Sequence, residues 1–174
     1  HQWSLDEPTA FWRAVWTFTE IQGDPGEMTC DDAMAFPGFQ WFPNARLNFA
    51  ENLLRFTDDR EALVEIDEGN ARRALTYGQL REQVARLAGW MREQNIQPGD
   101  RIVGFMPNCI EAVVAMLATT SLGAVWSSCS PDFGQQGAVD RFGQIAPRLL
   151  FTADGYVYND KRCNSLARAS DIAR

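Results

Sequence analysis

The sequence has a single histidine, His1, at the very end of the chain. No residue further in can act as an imidazole base, so a Ser-His-Asp triad is excluded, and no G-x-S-x-G elbow is present. The four cysteines, Cys30, Cys109, Cys129 and Cys163, show no C-x-x-C spacing. They read as reduced thiols of a cytoplasmic protein, not as a disulfide frame or zinc site. No run of 18 apolar residues exists, so no membrane span is expected. His1-Gln2-Trp3-Ser4 carries neither the basic nor the apolar region of a signal peptide. Positive charge is scarce: 16 Lys and Arg stand against 23 Asp and Glu, a net charge of −7. A broad nucleic-acid surface needs clustered cations and is excluded as a reading. Neither G-x-x-x-x-G-K-[ST] nor G-x-G-x-x-G between a strand and a helix occurs, so the common glycine-rich phosphate loops are missing. The chain has no starting Met and stops at Ala173-Arg174 inside a helical pattern, which leads us to expect a fragment of something larger.

What is present is a chain of 174 residues, 45% apolar, enough for one ordinary domain with a real core. Pro98 to Phe151 organises it. Arg101–Phe105, Ala124–Ser128 and Arg148–Thr152 are short apolar runs. Between them lie helix candidates at Asn108–Leu122, stopped by Gly123, and Phe133–Ala146, stopped by Pro147. Strands alternating with helices of this length predict an α/β fold with a parallel βαβαβ sheet. Right-handed crossovers lead us to expect the helices on one face.

Residues 1–58 are rich in aromatics. Pro8 suits a first helical turn, and Phe11, Val15 and Phe18 share a face at helical spacing. Gly23-Asp24-Pro25-Gly26 breaks the chain. Phe36–Pro43 reads as an irregular aromatic segment, and Asn48 as the cap of a short helix through Arg55. The plain reading is a helical and irregular segment covering a larger domain. A carbohydrate or base-stacking platform is the alternative, but no basic groove accompanies it. Ala62–Ile66 and Ala71–Thr76 predict a hairpin around the turn Asp67–Asn70. Thr76 and Gln79 fit a capping box. The helix after it places Leu80, Val84, Leu87, Ala88 and Met91 on one face and ends at Asn95–Pro98. Asn108 with Glu111 resembles a second capping box. The helix it opens is apolar almost all round and calls for protein on most sides. Asp132 is the expected cap of the last helix, where Val139, Phe142 and Ile145 share a face.

Among candidate sites, Asp31-Asp32 and Asp58-Asp59 are paired acids in turn-like sequence and read as solvated turns. Ser127-Ser128-Cys129-Ser130 follows the second strand of the triplet. Ligands bind outside the carboxyl ends of parallel strands, so its hydroxyls either line a site or satisfy local backbone. Tyr158, Asn159, Asp160, Lys161 and Arg162 form a turn with two cations. It reads as a solvated turn or as a seat for a phosphate-bearing ligand.

The wording of several blocks carries a resemblance. Trp41 to Leu54, Leu75-Thr76-Tyr77-Gly78-Gln79-Leu80 and Pro98-Gly99-Asp100-Arg101-Ile102 resemble the acetyl-CoA and acetoacetyl-CoA synthetases. Met106-Pro107-Asn108 and Leu122-Gly123-Ala124-Val125 resemble the wider adenylate-forming family. Gly123 to Gly134 and Asp140–Ile145 look like the acetoacetyl-CoA synthetase subfamily. The match spans residues 3–165. It implies that 59–174 is the start of the AMP-binding-type α/β large domain and 1–58 a segment preceding it. It implies ATP, coenzyme A and Mg²⁺ as cofactors and acetoacetate, or another short acid, as substrate. An acyl-adenylate forms with release of pyrophosphate, and coenzyme A then displaces AMP. The family's phosphate loop, acyl pocket and catalytic Lys are absent here, so no residue of this chain is assigned to catalysis or to a metal. By position, Tyr158, Asn159, Asp160 and Lys161 match a basic loop that contacts coenzyme A, and Arg162 adjoins it. Asp160 departs from the small residue, usually Gly, expected there, leaving Lys161 and Arg162 as the better phosphate contacts.

Two other readings stand beside this one. One is an acetyl- or propionyl-type synthetase; the other is a non-enzymatic α/β interaction module. A fragment would leave its largely apolar helix partly uncovered, so self-association through apolar surface is expected.

Overall fold

The computed structural model describes residues 1–31 and 37–173; Asp32, Phe36 and Arg174, named above, lie outside them. The chain divides into two units, His1–Asn52 and Leu53–Arg174.

In the first unit, α1 (Gln2–Asp6) and α2 (Pro8–Phe18) precede β1 (Gly23–Asp24) and β2 (Arg46–Leu47), a two-residue antiparallel pair, and α3 (Phe49–Leu53). Pro8 sits at the start of α2 as expected. Phe11 and Val15 are half-buried, but Phe18 is 89% exposed. It is the last residue of α2; Phe11, Ala14, Val15 and Trp16 form the half-buried face, and further ring contacts come from Trp12 and Trp16. Their rings lie 5.8 Å from Trp41 and 4.9 Å from Phe42. Asn48 does cap α3, accepting from the Glu51 N–H at 3.1 Å, although the helix ends at Leu53, short of Arg55.

The second unit opens with the hairpin β3 (Glu61–Ile66) and β4 (Arg72–Thr76). α4 (Tyr77–Glu93) follows with its expected capping box complete, Thr76 and Gln79 each satisfying the other's backbone N–H. Leu80, Val84, Ala88 and Met91 are its buried stripe. Asn95, at φ 58°, takes the left-handed residue that ends α4.

Next come β5 (Arg101–Phe105), α5 (Ile110–Ser121), β6 (Val125–Cys129), α6 (Gln135–Gly143) and β7 (Leu149–Thr152). The three strands are parallel in the order β6-β5-β7. β5 is central, and Ile102, Val103 and Phe105 are fully buried, each contributing about 1.5–3 kcal/mol. Gly123, at φ 71°, closes α5; a Cβ there would come within 3.3 Å of Pro98.

The expectation of helices on one face is corrected here. From β5 the chain crosses outward to β6, then back past β5 to β7, so two right-handed crossovers travel in opposite directions and lay α5 and α6 on opposite faces. Ala138 and Phe142 of α6 join Val103, Phe105 and Cys129 in one cluster, to which α5 contributes nothing. α6 is also shorter than predicted and its N-cap is Gly134, not Asp132. Nor does Asn108 cap α5: Cys109 is the N-cap, without a side-chain bond. The acids of these two expected caps, Asp132 and Glu111, have partners elsewhere, described below. Every residue of α5 except Glu111 is at least half-buried.

The chain ends in the antiparallel hairpin β8 (Gly155–Tyr158) and β9 (Lys161–Asn164), then α7 (Leu166–Ile172). Among the described residues no helix is long and apolar enough to cross a membrane.

Candidate functional site

The carboxyl ends of β5, β6 and β7 open together into one cleft of about 1140 Å³, contained within the second unit. Met106 to Cys109 enter from β5, Ser130 and Asp132 from β6, and Thr152 to Gly155 from β7. This is where parallel α/β sheets place ligands, because the strand ends and helix starts leave polar backbone facing one crevice. Two hairpin ends complete the wall: the β3–β4 turn with Glu65 and Arg73, and the β8–β9 tip.

Seven carboxylates line the cleft against two guanidiniums, Arg73 and Arg162. Arg73 is committed to its neighbours. It donates to Glu65 Oε2 at 2.7 Å and to both carboxylate oxygens of Glu111 at 2.8 and 2.9 Å. These bonds hold the Glu111 carboxyl below its ordinary range and push the Arg73 guanidinium further up. Glu65 Oε2 also accepts the Ile110 N–H at 2.9 Å, so the start of α5 is capped from β3, 45 residues upstream. Burial raises the Cys109 thiol above its usual value, so Cys109 is not an activated nucleophile.

Opposite, Asp132 accepts from the Ser130 hydroxyl at 2.9 Å and from the Tyr156 hydroxyl at 3.0 Å, one on each carboxylate oxygen. Burial, then this carboxylate, pushes the Tyr156 phenol up to about 12.

The five-residue turn proves to be the tip of a tight hairpin rather than an open loop. Tyr158 pairs with Lys161, and Asn159 and Asp160 sit between them at φ 51° and 58°. Two successive positive φ values make a type I′ turn, which favours Gly but accepts Asn and Asp. That explains how Asp160 stands where a small residue was expected. Its N–H donates to Glu68 Oε2 at 3.3 Å, tying the tip to the β3–β4 turn. Tyr158, Asp160 and Arg162 line the cleft; Asn159 and Lys161 do not. Among the described residues, neither Lys161 nor Arg162 forms an ion pair.

The other candidates disperse. Ser127, Ser128 and Cys129 lie inside β6, so only Ser130 of that run faces the cleft. Asp58 is exposed, with both oxygens on Arg60, which draws its carboxyl down to about 2. Asp31 accepts the Gln40 N–H at 2.6 Å. No group of three or more potential metal ligands occurs among the described residues. The residues missed from sequence are Glu65, Arg73 and the Asp132–Tyr156 pair. One signal was available: in the alternation of β3, Glu65 falls on the same face as apolar Leu63, where an acid needs a partner.

Comparison with known proteins agrees with this geometry. The AMP-binding enzyme family model matches residues 49–173, and the acetyl-coenzyme A synthetase N-terminus model matches residues 1–53. An acetoacetyl-coenzyme A synthetase of Rhizobium meliloti (strain 1021) is 48% identical over all of this chain and 27% of its own length. A malonamoyl-CoA synthetase of Penicillium aethiopicum is 42% identical over 99% of this chain and 25% of its own. The solved acetoacetyl-CoA synthetase from Streptomyces lividans superposes with a TM-score of 0.92 at 42% identity, covering 99% of this chain and 27% of that one. The chain thus spans about a quarter of the length of the relatives it matches.

Proposed function

The chain belongs to the AMP-binding enzyme family, and on that premise we propose that it is the N-terminal part of an ATP-dependent acid–thiol ligase that joins acetoacetate to coenzyme A. The observation that carries this reading is the likeness to acetoacetyl-CoA synthetases along the whole chain, in sequence and in backbone. In the reaction, the acid's carboxylate oxygen attacks the α-phosphorus of ATP and pyrophosphate leaves. The coenzyme A sulfur then attacks the acyl carbon, AMP leaves, and the thiol proton passes to solvent. Mg²⁺ would screen the phosphate charge. No residue of this chain is assigned to it or to catalysis.

The substrate class is a short acid with a second carbonyl two carbons from the carboxylate. Acetoacetate and malonamate, the acids implied by the two relatives' names, share that feature and differ only in a methyl or amide terminus. An acetyl- or propionyl-type enzyme would not need it. The test is AMP release by the full-length protein with ATP, Mg²⁺ and coenzyme A. Acetoacetate and malonamate are expected to be used well above acetate and propionate; preference for acetate or propionate would overturn the reading. A cytoplasmic location fits this chemistry, which draws on cytoplasmic ATP and coenzyme A.

Within this chain, the β8–β9 tip is our candidate coenzyme A contact. Arg162 in the cleft and Lys161 at the tip are cations without ion-pair partners among the described residues. In a cleft lined by seven carboxylates, these two cations are what supports a phosphate at this rim. Lys161→Ala and Arg162→Ala in the full-length enzyme are expected to raise KM for coenzyme A and leave KM for ATP unchanged. Equal effects on both would count against the assignment.

A further inference from the structure

A lone two-stranded hairpin is marginal in water, and β8 and β9 pair with no other strand. The direction in which this ribbon points is therefore set by what tethers its side chains. Along the ribbon, Val157 pairs with Arg162 and Tyr156 with Cys163. Paired residues share a face and neighbours alternate, so Tyr156 and Arg162 stand on opposite faces. Tyr156 is half-buried, and its hydroxyl reaches Asp132, in the loop leaving β6 and 24 residues earlier in the chain. Asp132 is itself held by the Ser130 hydroxyl, and the neighbouring Pro131 is fully buried, with its carbonyl accepting from Arg168 of α7 at 3.2 Å. The anchor is thus built into the sheet side of the cleft. The ribbon is pinned through Tyr156 on one face, Arg162 stands on the other, and both residues line the cleft.

We propose that Asp132 is a positioning residue for the coenzyme A contact: its carboxylate holds the Tyr156 hydroxyl and so fixes where the β8–β9 ribbon sets Arg162 at the cleft. This rests on the coenzyme A reading of the hairpin given above. Asp132 touches no substrate in this account; it acts through Tyr156. A carboxylate is suited to the task because it accepts both hydroxyls at once, which an amide side chain can do only through its single oxygen.

The test uses the full-length enzyme and four variants: Asp132→Asn, Tyr156→Phe, the double variant and Arg162→Ala. The readouts are KM for coenzyme A, KM for ATP, and acid-dependent exchange of pyrophosphate into ATP, which needs no coenzyme A. Asp132→Asn and Tyr156→Phe are each expected to raise KM for coenzyme A by roughly three- to tenfold, about the worth of one half-exposed hydrogen bond to a carboxylate. The double variant is expected to be no worse than the single ones, since both remove the same bond. KM for ATP is expected to hold. Tyr156→Phe removes one oxygen and keeps the ring, so it reports even where Asp132→Asn folds poorly. If Arg162→Ala raises KM for coenzyme A while Tyr156→Phe does not, the positioning role is overturned and the coenzyme A reading stands. If Arg162→Ala has no effect, the coenzyme A reading falls first, and the positioning role falls with it. Parallel loss of pyrophosphate exchange in Tyr156→Phe would mean that the bond serves general folding, and would also overturn the proposal.

Discussion

Replacing Arg73 with Met should loosen the junction of β3, β4 and α5 while keeping most of the side chain's apolar length. Three charge-assisted bonds of 2.7–2.9 Å disappear. The Arg73–Glu111 pair is half exposed on both sides, so its bonds are worth only about 0.2–1 kcal/mol. Glu65 is different. Its side chain is 20% exposed and loses the cation it pairs with among the described residues, though it keeps the Ile110 N–H. Losing one charge-assisted bond from a largely buried carboxylate costs about 1.5 kcal/mol. The sum is about 2 kcal/mol, which at a urea slope of about 2 kcal/mol/M lowers the midpoint by about 1 M. Far-UV circular dichroism of the 174-residue chain in urea reads it, with wild type and variant compared at one protein concentration because self-association shifts the midpoint. The pH dependence has a definite sign. The Glu111 carboxyl is depressed by Arg73 below its ordinary value of 4.5. Its contribution is therefore fully present above that value and lost as pH falls through the folded-state value. The gap between wild type and Arg73→Met should narrow as pH falls below 4.5 and through the depressed folded-state value. A midpoint shift under about 0.2 M at pH 7, or a gap that does not narrow anywhere in the acid range in which wild type still folds, would refute the reasoning.

Gly104→Ala should destabilise the sheet, because the added Cβ would lie 2.6 Å from Trp126 Cη2 and Cζ2; overpacking of about 1–3 kcal/mol should lower the thermal midpoint by several degrees, and an unchanged midpoint would mean that the indole yields freely. Asp160→Gly keeps a positive-φ turn and removes a carboxylate from the cleft; in the full-length enzyme it should lower KM for coenzyme A roughly two- to threefold, and a raised KM would contradict the electrostatic argument. The 174-residue chain, with Val64, Ile66 and Val125 each about half exposed or more, should self-associate by light scattering and bind an apolar dye, and a monodisperse monomer that binds none would count against that expectation.

Signals carried by neighbouring residues were readable. The Thr76–Gln79 box, the stripe on α4, the Gly123 stop and the three strands of the parallel sheet all follow from residues within one or two turns of each other. What failed depended on partners far along the chain. Asn108-Cys109-Ile110-Glu111 has the wording of a capping box, yet Glu65 caps α5 and Arg73 takes Glu111. Asp132 looked like a cap because it precedes a helix, but the Tyr156 hydroxyl competes for it from 24 residues away. Residues 158–162 read as a turn, but its hairpin geometry was hidden because the usual glycine is missing and Asn159 and Asp160, both tolerant of left-handed backbone, stand in for it. Opposite placement of α5 and α6 is fixed only by strand order, which local pattern does not state. In the cleft, the hairpin tip was named in advance, whereas the acids around it were brought there by elements remote in sequence.

The central position of β5 has a consequence during synthesis. Both its neighbours come later in the chain, and the last residue of β7, Thr152, follows Phe105 by nearly fifty residues. At a translation rate of about 5–20 residues per second, β5 waits roughly two to ten seconds before both edges can be paired. For that interval the most deeply buried strand among the described residues is a ready acceptor for any other nascent strand. Ribosome pausing between codons 106 and 152 would lengthen the wait and lower the yield of folded protein, whereas a pause after the residues of β7 have cleared the exit tunnel would not.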